Sequence, residues 1–443
     1  MATRPGDCVS DRVNSRVNER VSDRERALHL LRRIERDAAF ATPLLQADAD
    51  RNGDSGFVRT VVLGVLRWRS RLDHAIEVLS KRKLGQLDDV VVDILRIGLQ
   101  QLFFMEVPAY AAVGETVELA TKEANRARGF INAILRRGSE RTADSIAPKG
   151  NSISDVAIRT AHPEWLIARW TRMYGAERAR AIAVANQELS FPDLLIRRDA
   201  FDAAAEASLA ALPHEASTLV DDMVRLRGGT SSLESDIRRG VFHPLDEGSA
   251  VVATLAATAS RDLLDLAAAP GGKTLVMRNL GARVVSNDVS LGRLRPLIAA
   301  EQAMFGSRQI VVSDGRDAPF RRRFNGVLLD APCSATGTLR KNPELKWRLR
   351  ESELQSLAVL QRELLQSALD LTAKTCIYST CSLEPEENDD VVDAVLAGRD
   401  DFERVDAASL ANAAVQPWVR DGVLRLTPDS GTDGFTAFVL RRR

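Results

Sequence analysis

The sequence predicts a multidomain protein: an all-α N-terminal domain, a small α/β middle domain, and a C-terminal α/β domain built on a parallel sheet. Three observations carry this. Apolar residues recur at helical intervals from Arg26 to Arg141. A stretch rich in Ser, Pro, Gly, Asn and Asp at 142–157 has the composition of a linker. From residue 241 onward, short apolar runs alternate with helical stretches, the pattern of β-α units around a parallel sheet. A length of 443 residues suits this division, since domains commonly run about 100 to 200 residues.

Residues 1–25 alternate Arg, Asp, Glu, Ser and Asn with few large apolar side chains, so they cannot bury enough surface to offset ordering entropy and read as a disordered arm. Within 26–141, Leu28, Leu31 and Ile34 share one helical face, as do Val90, Ile94 and Ile97, then Val113, Val117 and Ala120. Asp88 and Asp89 suit a helix start, and Pro108 breaks the chain before the next helix. Basic clusters at Arg67, Arg69 and Arg71, at Lys81, Arg82 and Lys83, and at Arg136 and Arg137 read first as solvated helix faces and second as RNA contacts.

The middle domain, 158–240, opens with helical spacing through Trp165, Ile167, Trp170 and Tyr174. It continues with a strand at 194–197, an Ala-rich helix near 201–211 and a strand at 224–226. In the last domain, 241–443, strands are predicted at 263–267, 282–287, 309–313, 326–329 and 375–378. A closing antiparallel pair is predicted from 423–426 and 435–440.

Composition narrows the function classes. With 45% hydrophobic and 28% charged residues, and no apolar run near the length of a membrane span, the chain reads as a soluble protein with no membrane partner. Four cysteines form no C-x-x-C pair, and five histidines are scattered. No disulfide framework or metal site is expected, and a reducing cytoplasm is. Net charge is zero, so nucleic-acid affinity must come from local patches. The excess of 53 Arg over 8 Lys reads as codon bias of a GC-rich genome, because it is spread along the chain.

Ligands of parallel sheets sit at the C-terminal strand ends, so the chemistry is sought there. The first strand runs into Ala267-Ala268-Ala269-Pro270-Gly271-Gly272-Lys273, a small-residue turn that opens a helix and lets backbone approach a ligand. Its ending imitates a phosphate-binding P-loop. That motif needs glycine where Ala267 stands, which argues against a nucleoside triphosphatase. Asp288 ends the second strand, where a carboxylate can accept ribose hydroxyls, and Asp314 ends the third, on the adenine side. Either acid alone reads as a cap, but in series they point to a nucleoside-type cofactor.

The fourth strand leads to Asp330 and Cys333, the fifth to Cys381. A lone cysteine is usually a small buried hydrophobe, yet two in polar turns above one cleft read as reactive. Cys376, inside an apolar strand, keeps the structural reading.

These residues resemble the Sun/Fmu-type bacterial RNA cytosine-C5 methyltransferases, which act on small-subunit ribosomal RNA with S-adenosylmethionine. The likeness rests on DLAAAPGGKT, DAPCSATGTLRKNPELKW and YSTCSLEPEEN, and covers nearly the whole chain after the arm. GFINAILRR looks like the end of a NusB-like RNA-binding domain, and LTPDSGTDGF like the closing hairpin. The resemblance implies a Rossmann-like methyltransferase domain, Cys381 as nucleophile, Cys333 as helper in enzyme release, and Asp330 as a contact to base or cofactor. The cofactor implied is S-adenosylmethionine, held by 267–273 with Asp288, Asp314 and Asp330.

Chemistry explains the need for a thiol. Cytosine carbon 5 is a weak nucleophile, and thiolate addition at carbon 6 makes it reactive. The expected partner is RNA, 16S rRNA foremost, with no DNA, and the chain is expected to be a monomer. Arg340, Lys341, Lys346 and Arg348 could hold phosphates, and Trp347 could stack on a base or pack internally. Three positions depart from the family: Ala267 replaces a frequent cysteine without consequence, Ala335 replaces a glycine and strains its turn if φ is positive, and Leu245 replaces a glutamine near the substrate. The alternatives are a catalytically inert NusB-like ribosome-assembly factor and a methyltransferase acting on tRNA.

Overall fold

The computed structural model describes residues 21–37, 39–306 and 309–443. The chain divides into two compact units, Met1–Val65 with Ile76–Thr142, and Leu66–Ala75 with Ala143–Arg443.

The first unit is helical, as its periodicity dictates. Helix α1 (Asp23–Arg36) starts where Ser22 Oγ accepts the Glu25 N–H, and buries Leu28, Leu31 and Ile34. It begins at Asp23, so residues 23–25 of the expected arm are helical, while 1–20 lie outside the described residues. Helices α2 (Ala41–Asn52) and α3 (Gly56–Ser80) follow, and α4 (Asp89–Phe104) begins after Asp88 as anticipated. Residues 91–101 of α4 are buried, apolar and polar alike, which makes it the central helix. Pro108 precedes α5 (Ala109–Glu123), and α6 (Arg128–Ser139) buries Ile131, Ile134 and Leu135. Each such aliphatic side chain contributes about 1.5–3 kcal/mol of burial energy.

In the second unit the expected linker is largely helical. It holds α7 (Ala143–Ile146) and α8 (Ile153–Arg159), the latter closed by a capping box in which Ser152 and Asp155 exchange hydrogen bonds. Linker composition misled because Ser and Asp cap helices as readily as they make loops. Next come α9 (Glu164–Tyr174) and α10 (Ala176–Ala185), then a small antiparallel sheet of β1 (Asp193–Ile196), β2 (His214–Ala216), β3 (Met223–Leu226) and β4 (Phe242–Pro244), in the order β2-β3-β1-β4. Short helices α11 (Ala203–Ala210) and α12 (Glu234–Arg238) connect its strands. The sheet runs past the expected boundary at 240, since β4 pairs with β1.

Helix α13 (Glu247–Ala259) leads into the large sheet. Its parallel part alternates β5 (Asp262–Asp265), α14 (Gly272–Asn279), β6 (Arg283–Asp288), α15 (Leu291–Phe305), β7 (Ile310–Val312) and β8 (Phe324–Asp330). Short α16 (Leu345–Arg348) and long α17 (Glu353–Asp370) precede β9 (Thr372–Thr380), and α18 (Asp389–Leu396) follows it. Strands β10 (Phe402–Val405), β11 (Val419–Arg420), β12 (Val423–Leu426) and β13 (Phe435–Arg442) complete nine strands in the order β11-β12-β13-β9-β8-β5-β6-β7, with β10 beside β13.

Strand β5 lies between β6 and β8, both parallel to it, so the chain reverses its direction of travel across the sheet there. Such a switch point opens a crevice at the strand ends. Parallel register sets Asp330 of β8 opposite Ser379 of β9, so the turns after both strands leave side by side. No helix among the described residues is long and apolar enough to cross a membrane.

Candidate active site

The turn after β5 is built for close approach. Gly271 has φ +119°, and a Cβ there would lie 2.5 Å from Leu297 Cβ, so only glycine fits. Residues 267–273 line a cavity of about 290 Å³ together with Asp265, Asp330, His243, Leu245, Ser249 and Pro296. Asp265 is buried; its Oδ2 accepts the Thr274 hydroxyl at 2.7 Å, while Oδ1 has no hydrogen-bond partner. Burial pushes its carboxyl up to about 7. The cavity therefore offers a buried acceptor that lacks a donor, suited to a cationic group.

The two acids expected to follow are placed differently. Asp288, at the end of β6, is buried and turned to backbone: Oδ2 accepts the Ala269 N–H at 3.1 Å and Oδ1 the Ser290 N–H at 2.9 Å. It thereby braces the 267–273 turn. Asp314, beyond β7, lines a separate cavity of about 670 Å³ with Arg316, Asp317, Glu363 and Asp370. Arg316 grips it through both oxygens and holds its carboxyl down at about 2.

The reactive residues converge at the ends of β8 and β9. The Cys333 and Cys381 sulfurs lie 3.3 Å apart, both partly exposed. The hydrogen bond to Cys381, and then burial, hold the Cys333 thiol well above its ordinary range. Asp330 Oδ2 accepts Lys273 Nζ at 2.7 Å, and Oδ1 accepts the Ser379 hydroxyl at 2.9 Å. Burial pulls the Lys273 ammonium down. The charge of Asp330 outweighs it, with help from Cys381 and Asp265, so the net shift is upward. Phe435 covers this ammonium at 4.7 Å. Cys376 is buried within β9, as expected.

The turns are laced to each other. Gly337 N–H donates to the Cys381 carbonyl at 2.9 Å, and Leu383 N–H to Thr336 Oγ1 at 2.9 Å. Gly434 N–H in turn donates to the Gly337 carbonyl, and a Cβ on Gly337 would come within 2.4 Å of Gly434 O. From the far side, α9 supports the segment after Cys381. Arg169 pairs with Glu384 and Glu386, Trp170 Nε1 donates to Glu384 at 3.2 Å, and Tyr174 donates to the Leu383 carbonyl at 2.8 Å.

A ribosomal RNA small subunit methyltransferase B from Pseudomonas putida is 33% identical over 413 residues, covering 88% of this chain and 91% of that protein. The chain belongs to this family. The 16S rRNA methyltransferase RsmB/F family matches residues 252–441, and the NusB family residues 21–140. The protein of the same description from Shigella flexneri is 31% identical, covering 82% of this chain and 86% of its own. In fold, the crystal structure of PH0851 superposes with a TM-score of 0.77 at 22% identity, over 95% of this chain and 98% of that one. The architecture is thus a NusB helical domain and a methyltransferase α/β domain, and the methyl donor is S-adenosylmethionine. The orphan Oδ1 of Asp265 and the cradle at Gly271 fit that cofactor.

Family membership does not rescue the basic stretch as a set of free phosphate contacts. Arg340 donates to the Gly431 carbonyl and faces Asp433 at 3.5 Å, and Lys341 pairs with Asp246 and Asp433. Lys346, 1% exposed, donates to the carbonyls of Arg67 and Ala161. Trp347 Nε1 donates to the Leu66 carbonyl at 2.6 Å, Arg69 lies 5.8 Å from the centre of its ring, and both Trp347 and Arg348 are partly buried. Arg67 of the first basic cluster is buried as well, donating to the Arg340 carbonyl. Leu245 lines the same cavity as Asp330, and its Cδ1 occupies the space a Cβ on Gly272 would need. Ala335 does adopt φ +57°, the strained case anticipated for a missing glycine.

Sequence reasoning missed Asp265, His243 and Pro296 in the cavity and the supports Glu384 and Arg169. Asp265 carries a readable signal, an acid ending an otherwise apolar strand. Arg169 carries none, because its partners lie 182 to 217 residues away. Among the scattered histidines, His29 has ligand-type atoms near Glu25 and Glu123, where Lys122 is ion-paired with Glu25 at 3.6 Å.

Proposed function

We propose that the chain methylates carbon 5 of a cytosine in 16S rRNA through a covalent bond between Cys381 and carbon 6 of the base. The observation that carries this reading is the 3.3 Å approach of the two sulfurs beside the Lys273–Asp330 pair that lines the cofactor cavity. The second thiol, Cys333, lies 3.3 Å from the first and suits a partner in proton transfer.

Cys381 adds to carbon 6, and electron density moves through the ring to carbon 5. Asp330, on the edge of the cavity, hydrogen-bonds the ring nitrogen or exocyclic amine of the base as negative charge moves into the ring, stabilising the adduct more than the free base. Residues 267–273 and Asp265 would hold S-adenosylmethionine, with Asp288 bracing the turn through the Ala269 N–H and Asp314 left to its own cavity, and the cofactor when bound supplies the methyl group. Cys333, its own proton given up to solvent, then takes the carbon 5 proton as a thiolate; the C–H electron pair re-forms the ring double bond, and the carbon 6–sulfur bond breaks to return the Cys381 thiolate. The target base must leave any stack to reach the thiol. The NusB domain supplies RNA affinity, the substrate is RNA and not DNA, and the chain works as a monomer in the cytoplasm.

The test is incubation of the purified protein with labelled S-adenosylmethionine and 16S rRNA, tRNA or DNA. Transfer to 16S rRNA, lost in Cys381→Ala and replaced by a trapped protein–RNA adduct in Cys333→Ala, is the expected result. Tight RNA binding without transfer would mark an assembly factor, and transfer to tRNA alone would reassign the substrate.

A further inference from the structure

One buried carboxylate joins the two thiol turns. Glu387 is 0% exposed. Its Oε1 accepts the Ser334 N–H at 2.8 Å and Gln361 Nε2 at 3.0 Å, and its Oε2 accepts the hydroxyls of Ser334 and Ser382. Ser334 follows Cys333 in the chain, and Ser382 follows Cys381. The same group therefore holds the residue next to each sulfur. Its own backbone is anchored: the Tyr378 hydroxyl, buried in β9, donates to the Glu387 carbonyl at 2.6 Å. Neighbouring Asn388 adds bonds from its side chain to the Ser382 and Glu384 carbonyls.

A carboxylate accepts at about four sites and donates at none, which suits these four donors. Glutamine in its place would turn an NH₂ either toward the two hydroxyls or toward the Ser334 N–H and Gln361 Nε2, donors that already seek acceptors. In a dry site such a mismatch is costly, because the orphaned groups have no water to turn to.

We propose that Glu387 is the positioning residue that sets the spacing of the Cys333 and Cys381 sulfurs. It acts through Ser334 and Ser382, and it is not a catalytic residue. Its relevance to turnover rests on the proposed use of both thiols, but the spacing itself can be read without methyl transfer. A fixed short spacing lets Cys333 reach the adduct that Cys381 forms; a loosened pair would form the adduct and release it slowly.

The experiment uses the full chain in a Cys8→Ser background and dibromobimane, which becomes fluorescent when two adjacent thiolates displace both bromides and two carbon–sulfur bonds form. Wild type is expected to bridge readily, and Cys333→Ala not at all. Glu387→Gln is expected to bridge about tenfold more slowly, the effect of losing one hydrogen bond to a charged group. Its single-thiol labelling by monobromobimane and its affinity for S-adenosylhomocysteine should stay unchanged, and in RNA assays kcat should fall while KM holds. If Glu387→Gln loses S-adenosylhomocysteine binding, Ser334→Ala with Ser382→Ala removes the turn-side hydroxyls alone and is expected to slow bridging similarly. Bridging at the wild-type rate in the variant that keeps S-adenosylhomocysteine binding would overturn the proposal. A wild type that bridges rapidly, a slow Glu387→Gln, and no methyl transfer by either would leave the clamp standing and remove only the thiol mechanism.

Discussion

Two stretches follow β8 and look equally functional as sequence, yet the fold uses them in opposite ways. The turn at 333–338 leaves its sulfur partly exposed, where the partner of Cys333 is the second thiol. The basic run at 340–348 is consumed by the fold: Arg340, Lys341 and Lys346 find carbonyls and carboxylates of the same unit. The difference teaches that a polar side chain is available to a ligand only when the folded chain leaves it unsatisfied. A buried Lys346 without its carbonyls would be too costly to keep, so its partners are built in.

The comparison breaks hardest at the thiol. Cys381→Ala should lower methyl transfer by about 10⁴-fold or more, the scale seen when a covalent nucleophile is deleted, with S-adenosylmethionine affinity retained in a binding titration. A loss confined to KM would place Cys381 with the basic run, as a group that only shapes the site.

On the other side, Lys346→Ala should destabilise the second unit by about 2–4 kcal/mol in urea unfolding, from a cavity plus two orphaned carbonyls. RNA binding by the folded variant should keep its salt dependence. A phosphate contact would instead reduce the salt slope by about one unit with stability intact.

Asp265 sharpens the contrast, being a buried group the fold leaves half satisfied. Its carboxyl titrates at about 7 in the free protein, and the cationic groups of S-adenosylmethionine favour the carboxylate, so binding lowers that value and releases a proton. Affinity should therefore rise about tenfold between pH 6 and pH 8, the change in carboxylate fraction for a group near 7. Calorimetry should show this rise, and Asp265→Asn should flatten it.

The smallest effect is expected at Ala335, where φ +57° burdens a residue with a Cβ. Ala335→Gly should stabilise the second unit by about 1 kcal/mol, less whatever entropy glycine adds to the unfolded chain. A destabilised variant would show that the Ala335 methyl packs to advantage.

Much of this was legible in the chain because strand alternation and turn chemistry are local. The predicted strands of the large sheet recur within a few residues of their observed ends, and its antiparallel close was foreseen. The approach of the two thiols and the cavity at 267–273 were legible because polar or small residues at the ends of neighbouring strands are brought together by the sheet. What stayed hidden is long-range. The bond from Arg67 to the Arg340 carbonyl spans 273 residues, and Glu387 reaches Ser334 across 53. No local pattern encodes either partner. Strands β2 and β4 are three residues each, too short to show alternation.

The central claim concerns a bond between sulfur and a pyrimidine. RNA carrying 5-fluorocytosine at its target positions cannot lose a proton from carbon 5, so a methylated adduct would persist after digestion and peptide mapping by mass spectrometry. The account predicts a fluoropyrimidine on the peptide containing Cys381, formed only with S-adenosylmethionine present to lock it. The same mass on the Cys333 peptide, or methylated RNA with no adduct on either, would contradict it.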